Sequence, residues 1–363
     1  MTQVDQEWLE RRLEQLAGRP LAQARLLLCS DDLSAAWRKA TELGADVEQH
    51  YWNEFSPYGR GGDFRLVNEV AEQLLQHNRP LTALATLELY LGPPDGTDKP
   101  SPELVAKGLE ALVHLPKDHK EHLPASYDIQ RLLDYLRSSS LDEDRLASLE
   151  WQLLPARGFD ERSPVLERRL ARDPEFFLDI VSLCFRRKDG TMEQEVPESL
   201  AKNAYRLLHE WKIVPGSDSE GGEVNESALV EWTTKARQLA TERDRSDICD
   251  IHIGQVFAHA RQDPDGTWPT LPVRNVIEKL ASEKVENGFW TGTFNKRGVT
   301  TRGLTDGGKQ EYALADQFDD WARRIKDRWH RTAALLRSIA ESYRVQGRRE
   351  DEEAERFKRG LER

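Results

Sequence analysis

The chain has 363 residues, a formal net charge of −12, 38% hydrophobic residues and 32% charged ones. Such a length exceeds what one compact core usually supports, and the low apolar share points to a thin, surface-rich body rather than a globule. The acidic balance excludes general attraction to nucleic acid or anionic lipid and leaves room only for a local basic patch.

Ten tryptophans and regular leucine spacing exclude disorder over most of the chain. The three cysteines, Cys29, Cys184 and Cys249, lie far apart with no CxxC pair. They read as reduced thiols of a cytoplasmic protein. No apolar run approaches the ~20 residues of a membrane span. The opening stretch MTQVDQEWLERRLEQL is acidic and amphipathic, unlike a signal peptide. No membrane partner is expected.

Helical periodicity begins at once, with Leu9, Leu13 and Leu16 on one face and Leu33, Ala36, Trp37 and Ala40 on the next. After a loop at Ser56–Gly62, Leu66, Val70 and Leu74 form a helix face. Asn78-Arg79-Pro80 makes a short turn into Leu81, Leu84 and Leu87. Two helices joined so tightly must pack antiparallel. Ser101-Pro102, Ser163-Pro164 and Asp173-Pro174 repeat one punctuation, an N-cap residue followed by proline at the first helical position. Helix starts are expected near Asp63, Pro80, Pro102, Ser126, Asp142, Pro164, Pro174 and Glu198. Taken in pairs they give a unit of roughly 35–40 residues, the range of HEAT-like and TPR-like hairpins.

Pro215–Asn225 is polar, acidic and glycine-bearing, and reads as a linker. Helical faces resume with Leu229, Trp232, Ala236 and Leu239. The segment 248–309 then departs from the leucine pattern. It opens as a helix, turns at Asp263-Pro264-Asp265-Gly266, and makes a short helix around Val273–Leu280. It then enters GFWTGTFNKRGVTTRGLTDGGK, where Asn295–Gly298 suggests the turn of a hairpin. Beyond it, Leu314, Phe318, Trp321 and Ile325 form one helical stripe, and Trp329, Ala333, Leu336, Ala340 and Tyr343 another. Arg348–Arg363 reads as a terminal cap or fraying end.

The fold expectation is therefore all-α: an α-solenoid of degenerate HEAT/TPR-like hairpins with a glycine/aromatic loop or hairpin inserted near 288–309. Residues 1–214 would be the repeat region and 215–225 the linker. Residues 226–363 would be a C-terminal helical region with an irregular stretch at 261–310.

Three constellations bear on chemistry. Gly303–Lys309 fits the GxxxxGK half of a phosphate loop, but Gln310 stands where a metal-binding hydroxyl belongs and no apolar strand precedes it. Cys249, His252 and His259 fall close to one helix face, with no fourth ligand at a recognisable spacing, and Cys249 shares an apolar stripe with Ile253, Val256 and Ala260. His114, His119 and His122 fall in a lysine-containing surface loop. No GxSxG, HExxH or paired-carboxylate signature is present, so no catalytic residue, cofactor or metal is assigned. Phe289, Trp290 and Phe294 interleave with Lys296, Arg297 and Arg302. That mixture suits either a partner-binding surface, with Trp290, Arg297 and Arg302 as anchors, or base stacking with phosphate contacts. Plain loop anchoring by buried aromatics is the alternative without function.

HIGQVFAHARQDPDGTWPTLPVRNVIEKL, GFWTGTFNKRGVTTRG, GGKQE and LADQFDDWA, with LASLEWQLLP and LERRLARDPEFFLDIVSLCFRR upstream, carry a resemblance. Together they resemble the C-terminal helical tail of a group of large bacterial multidomain proteins of uncharacterised function. The resemblance implies a regulatory or sensing tail, with any effector or nucleotide-binding part N-terminal to it, and assigns no catalytic residue. The functional expectation is a non-catalytic helical scaffold binding another protein; the alternative is a nucleic-acid-binding module using residues 289–302.

Overall fold

The computed structural model describes residues 6–56, 66–92, 99–116, 126–156, 158, 161–191, 195–298, 301–303 and 305–360. Among them are eighteen α-helices, one 3₁₀ turn at Leu154–Ala156, and no strand. The chain divides into two compact units, Met1–Glu161 and Arg162–Arg363.

The first unit holds α1 (Gln6–Gln15), α2 (Pro20–Leu27), α3 (Leu33–Leu43), α4 (Ala45–Glu54), α5 (Val67–Gln76), α6 (Pro80–Leu89), α7 (Pro102–Val113), α8 (Ser126–Arg137) and α9 (Glu143–Leu153). Packing is between neighbours along the chain: α2 with α3 and α4, α5 with α6 and α7, α7 with α8 and α9. Tyr51, Trp52 and Phe55 are fully enclosed, and Trp37 and His77 lie against the Trp52 ring. Removing such large rings from water is what holds helices this short, each too brief to persist alone.

The second unit holds α10 (Pro164–Arg172), α11 (Pro174–Cys184), α12 (Glu198–Glu210), α13 (Glu226–Glu242), α14 (Ser246–Phe257), α15 (Leu271–Leu280), α16 (Glu283–Arg297), α17 (Lys309–Ile325) and α18 (His330–Lys358). Its core stacks Phe177, Trp211 and Trp232, then Trp268, Phe289, Phe318 and Trp321. Contacts again run between near neighbours until α15, which also reaches α18.

The expected helix starts at Pro80, Pro102, Ser126, Pro164, Pro174 and Glu198 are the observed ones, and Asp142 caps the helix that begins at Glu143. Asp63 lies outside the described residues. Asp173 caps as expected, its carboxylate accepting from the N–H groups of Glu175 and Phe176. Ser101 and Ser163 do not: neither hydroxyl makes a capping bond, and proline alone starts those helices.

One connection recurs in both units. Asn78 (φ 55°) and Asp244 (φ 54°) each take the left-handed conformation after a helix. The arginine that follows donates its N–H five residues back, Arg79 to Leu74 and Arg245 to Ala240, both at 2.8 Å. Each guanidinium then reaches the carbonyl of a phenylalanine just past an earlier helix, Arg79 to Phe55 at 2.7 Å and Arg245 to Phe185 at 3.0 Å. These bonds satisfy carbonyls that the helix ends leave open.

Two sequence expectations need correction. The glycine/aromatic segment is not a loop or hairpin through residue 297: Gly288–Arg297 belongs to α16, and the chain turns only at Gly298. The reason is close packing. A Cβ on Gly288 would sit 2.0 Å from the Ile251 carbonyl oxygen, one on Gly254 2.0 Å from that of Val285, and one on Gly292 2.6 Å from that of Gln255. The backbones of α14 and α16 touch, and contact with a neighbouring helix outweighs the low helix propensity of glycine. Residues 215–225 are likewise part of the second unit's body. Val214, Ser217 and Val224 are buried, the Asn225 N–H donates to the Gly216 carbonyl at 2.9 Å, and Asn225 caps α13. Asp218 pairs with Arg172 at 2.9 Å, and Glu220 pairs with Arg162. Polar composition here serves a pinned turn rather than a free tether.

Candidate binding cleft

The six residues singled out by sequence separate into five environments. Phe289 is fully buried, its ring 4.9 Å from that of Trp268. Phe294 lies between Trp290 and Tyr343, with ring centres at 4.5 and 4.7 Å. Trp290 is 38% exposed, and its indole N–H donates to Ser342 Oγ on α18 at 3.3 Å.

Arg297 and Arg302 converge on the buried Glu311 at 2.5 and 2.9 Å, and Arg302 also pairs with Glu350 at 2.7 Å. Burial would push the Glu311 carboxyl up, but the Arg297 hydrogen bond and the two guanidinium charges outweigh it and hold it below the usual range. These arginines are committed to joining α16 and the following loop to α17. Lys296 differs: among the described residues it has no ion pair, and its Nζ donates only to the Ala258 carbonyl at 3.3 Å. The residue as a whole is exposed, with its ammonium 5.9 Å from the Trp268 ring centre. Burial lowers its pKa, with the charge of Glu220 working the other way.

Lys296 is among the residues that line a cleft of about 360 Å³ bounded by the 258–270 turn and by α16, α17 and α18. Trp268, Phe318, Trp321 and Tyr343 form the apolar wall. The wall is fixed from behind: the Trp268 indole donates to the Ala260 carbonyl at 2.8 Å and the Trp321 indole to the Gly266 carbonyl at 2.9 Å. Beneath the wall, Asp263 gathers the Thr270 hydroxyl, the Leu271 N–H and Arg274, which locks the turn onto the start of α15. The polar lining comes from Arg261, Gln262, Thr293, Lys296, Arg297 and Gln317, and among the described residues no carboxylate lines it. The Nε–H of Arg261 is buried with no acceptor among the described residues, and its other end lies 3.6 Å from the exposed Glu223.

Comparison with protein-family models, curated proteins and solved structures finds no match.

The other constellations take structural positions. Around Gly303–Lys309, the Gly303 and Gly308 N–H groups donate to Asp306 and Asp351, so carboxylates occupy the donors a phosphate would need. Gly308 lies against the backbone of Gly347 on α18. Cys249 and His252 are buried, and His252 packs on the Phe185 ring. Burial pushes His252 down to about 4 against the nearby Gln255 side chain, which works the other way, and neither ring nitrogen has a partner within hydrogen-bond geometry among the described residues. Burial, then the charges of Lys296 and Lys212, push His259 down to about 4. Among the described residues no group of three metal-ligating side chains gathers, and His119 and His122 lie outside them. Among the described residues, no helix is long and apolar enough to cross a membrane. Cys29 is exposed, Cys184 partly buried and Cys249 buried, all free thiols.

Sequence reasoning reached Lys296 and Arg297 but missed Arg261, Trp268, Trp321 and Tyr343. The signal available was the tryptophan in TWPTLP, an aromatic beside two prolines between helices, where a ring is held without a helix to carry it.

Proposed function

We propose that the protein is a non-catalytic helical scaffold that binds another protein, and that it serves as the regulatory or sensing tail of a larger bacterial system. Its hairpins would stack as a degenerate HEAT/TPR-like α-solenoid, presenting a continuous surface. The recurring Asn78-Arg79 and Asp244-Arg245 connections support that reading, since each sets one hairpin against the end of an earlier helix.

The observation that carries the partner reading is Trp290. A large ring held in place by Ser342 and Phe294, and still 38% exposed, is already ordered before any partner arrives. Val345, one turn beyond Ser342 on α18, is a second exposed apolar side chain, at 53%. Pre-ordered tryptophans in such settings make strong interface anchors because little side-chain freedom is lost on docking. Nucleic-acid binding by 289–302 draws less support, because Arg297 and Arg302 face Glu311 and Phe289 is internal.

Affinity capture from a bacterial host, with wild type and a Trp290→Ala/Val345→Glu variant, tests the reading. The variant should lose at least tenfold of a specific captured protein while retaining its helical circular dichroism. Unchanged capture removes this surface from the account. Anisotropy titrations with single-stranded DNA and RNA at two salt concentrations should show no binding; salt-sensitive binding would favour the nucleic-acid alternative.

A further inference from the structure

The cleft between the 258–270 turn and helices α16, α17 and α18 makes chemical demands that the partner surface around Trp290 does not share. Its walls are flat rings and its charged groups are cations. Lys296 uses one hydrogen bond on a carbonyl and makes no ion pair among the described residues, the more distant Glu220 being the acid that acts on its charge. Arg261 lines the cleft with a side chain that is 39% exposed, and its outer guanidinium nitrogen is only loosely paired, 3.6 Å from the exposed Glu223. Arg297 is balanced by Glu311. Cations with no close ion pair, in a cleft lined by no carboxylate among the described residues, call for an occupant that brings negative charge. Indoles, a phenyl ring and a phenol call for an occupant with a flat apolar body. At about 360 Å³ the cleft sits at the small end of ligand sites, which limits that body to one or two fused rings.

We infer that this cleft binds a small aromatic molecule bearing one anionic group, with the anion on Lys296 and Arg261 and the ring against Trp268, Phe318 and Trp321. Carboxylate and phosphate monoester share that chemistry. The bond is reversible and no covalent step is involved. Since the site uses neither Trp290 nor Val345, the inference stands independently of the protein-partner reading.

Isothermal titration calorimetry on the full chain tests it, with indole-3-acetate, its neutral amide, the cation tryptamine and adenosine monophosphate as probes. Saturable binding should occur with indole-3-acetate or adenosine monophosphate, and the stronger of the two names the anion. Indole-3-acetate, if it is the stronger, should bind at least tenfold more tightly than its amide, and tryptamine should not bind. Lys296→Met, which keeps the stem and removes the charge, should weaken the anion at least tenfold, as should Arg261→Met. The exposed Lys279→Met on α15 should leave binding unchanged. Circular dichroism of Lys296→Met should match wild type, since the residue is exposed. Equal affinity for acid and amide with no binding of the nucleotide, no heat from either anion at millimolar concentration, or full binding by a folded Lys296→Met would each overturn the inference.

Discussion

Each unit keeps an aromatic cluster, and the two are finished differently. In the first, Tyr51, Trp52 and Phe55 are sealed: His77 covers one face of Trp52, and Arg79 spends its guanidinium on the Trp52 and Phe55 carbonyls and on Thr82. In the second, Trp268, Phe318, Trp321 and Tyr343 leave a cleft open, with Lys296 and Arg261 incompletely satisfied at its edge. The rings are similar; the cations around them decide the role. An arginine tied to backbone carbonyls closes a core, whereas a cation with bonds to spare leaves a place for something else.

The largest expected effect falls on what supports the open cluster. Gly288→Val places a Cβ 2.0 Å from the Ile251 carbonyl oxygen. It should cost more than about 4 kcal/mol, because a backbone rather than a flexible side chain must move. Urea denaturation followed by circular dichroism would show it; a loss below about 1 kcal/mol would mean that α14 and α16 can separate freely. The two clusters can next be set directly against each other. Trp52→Ala should cost about 3–5 kcal/mol, as for other enclosed rings. Trp321→Ala should cost about half as much, since its ring already borders open space. Equal costs would erase the distinction drawn here.

Acid sharpens it from another side. His252 is held down to about 4 by burial, so below the ordinary pKa near 6.5 the unfolded chain takes up a proton that the folded one refuses. Stability should therefore fall as pH drops from about 6.5 towards 4, by up to about 3 kcal/mol from this group. His252→Phe should flatten that slope in denaturation curves, and an unchanged slope would assign the loss elsewhere. The smallest effect is a gain. Ala281, between α15 and α16, sits at φ 47°, where a Cβ is strained. Ala281→Gly should stabilise by about 0.5–1 kcal/mol, shown by a raised urea midpoint.

How much of this was legible in the sequence follows from the range of the forces involved. Starts at Pro80, Pro102, Pro164 and Pro174 are decided within one turn of chain, and Asp173 caps its own helix, so local reading finds them. Residues 288–297 and 215–225 misled because their glycines answer to backbones distant in sequence: Gly288 to Ile251, Gly292 to Gln255, Gly216 to Asn225 and the start of α13. Lys296 could be named from its aromatic neighbours, but not told apart from Arg297. That difference rests on where Glu311 lies, and on rings contributed from Trp268 to Tyr343.

The touching backbones of α14 and α16 carry an implication for how this chain can change over time. Every amino-acid replacement one base away from a glycine codon adds at least a Cβ, so Gly254, Gly288 and Gly292 have no permissible neighbour in mutational space. The cleft residues face no such barrier. Divergent copies of this protein should therefore hold the three glycines fixed while Lys296, Arg261 and Gln317 drift with whatever each lineage has to bind.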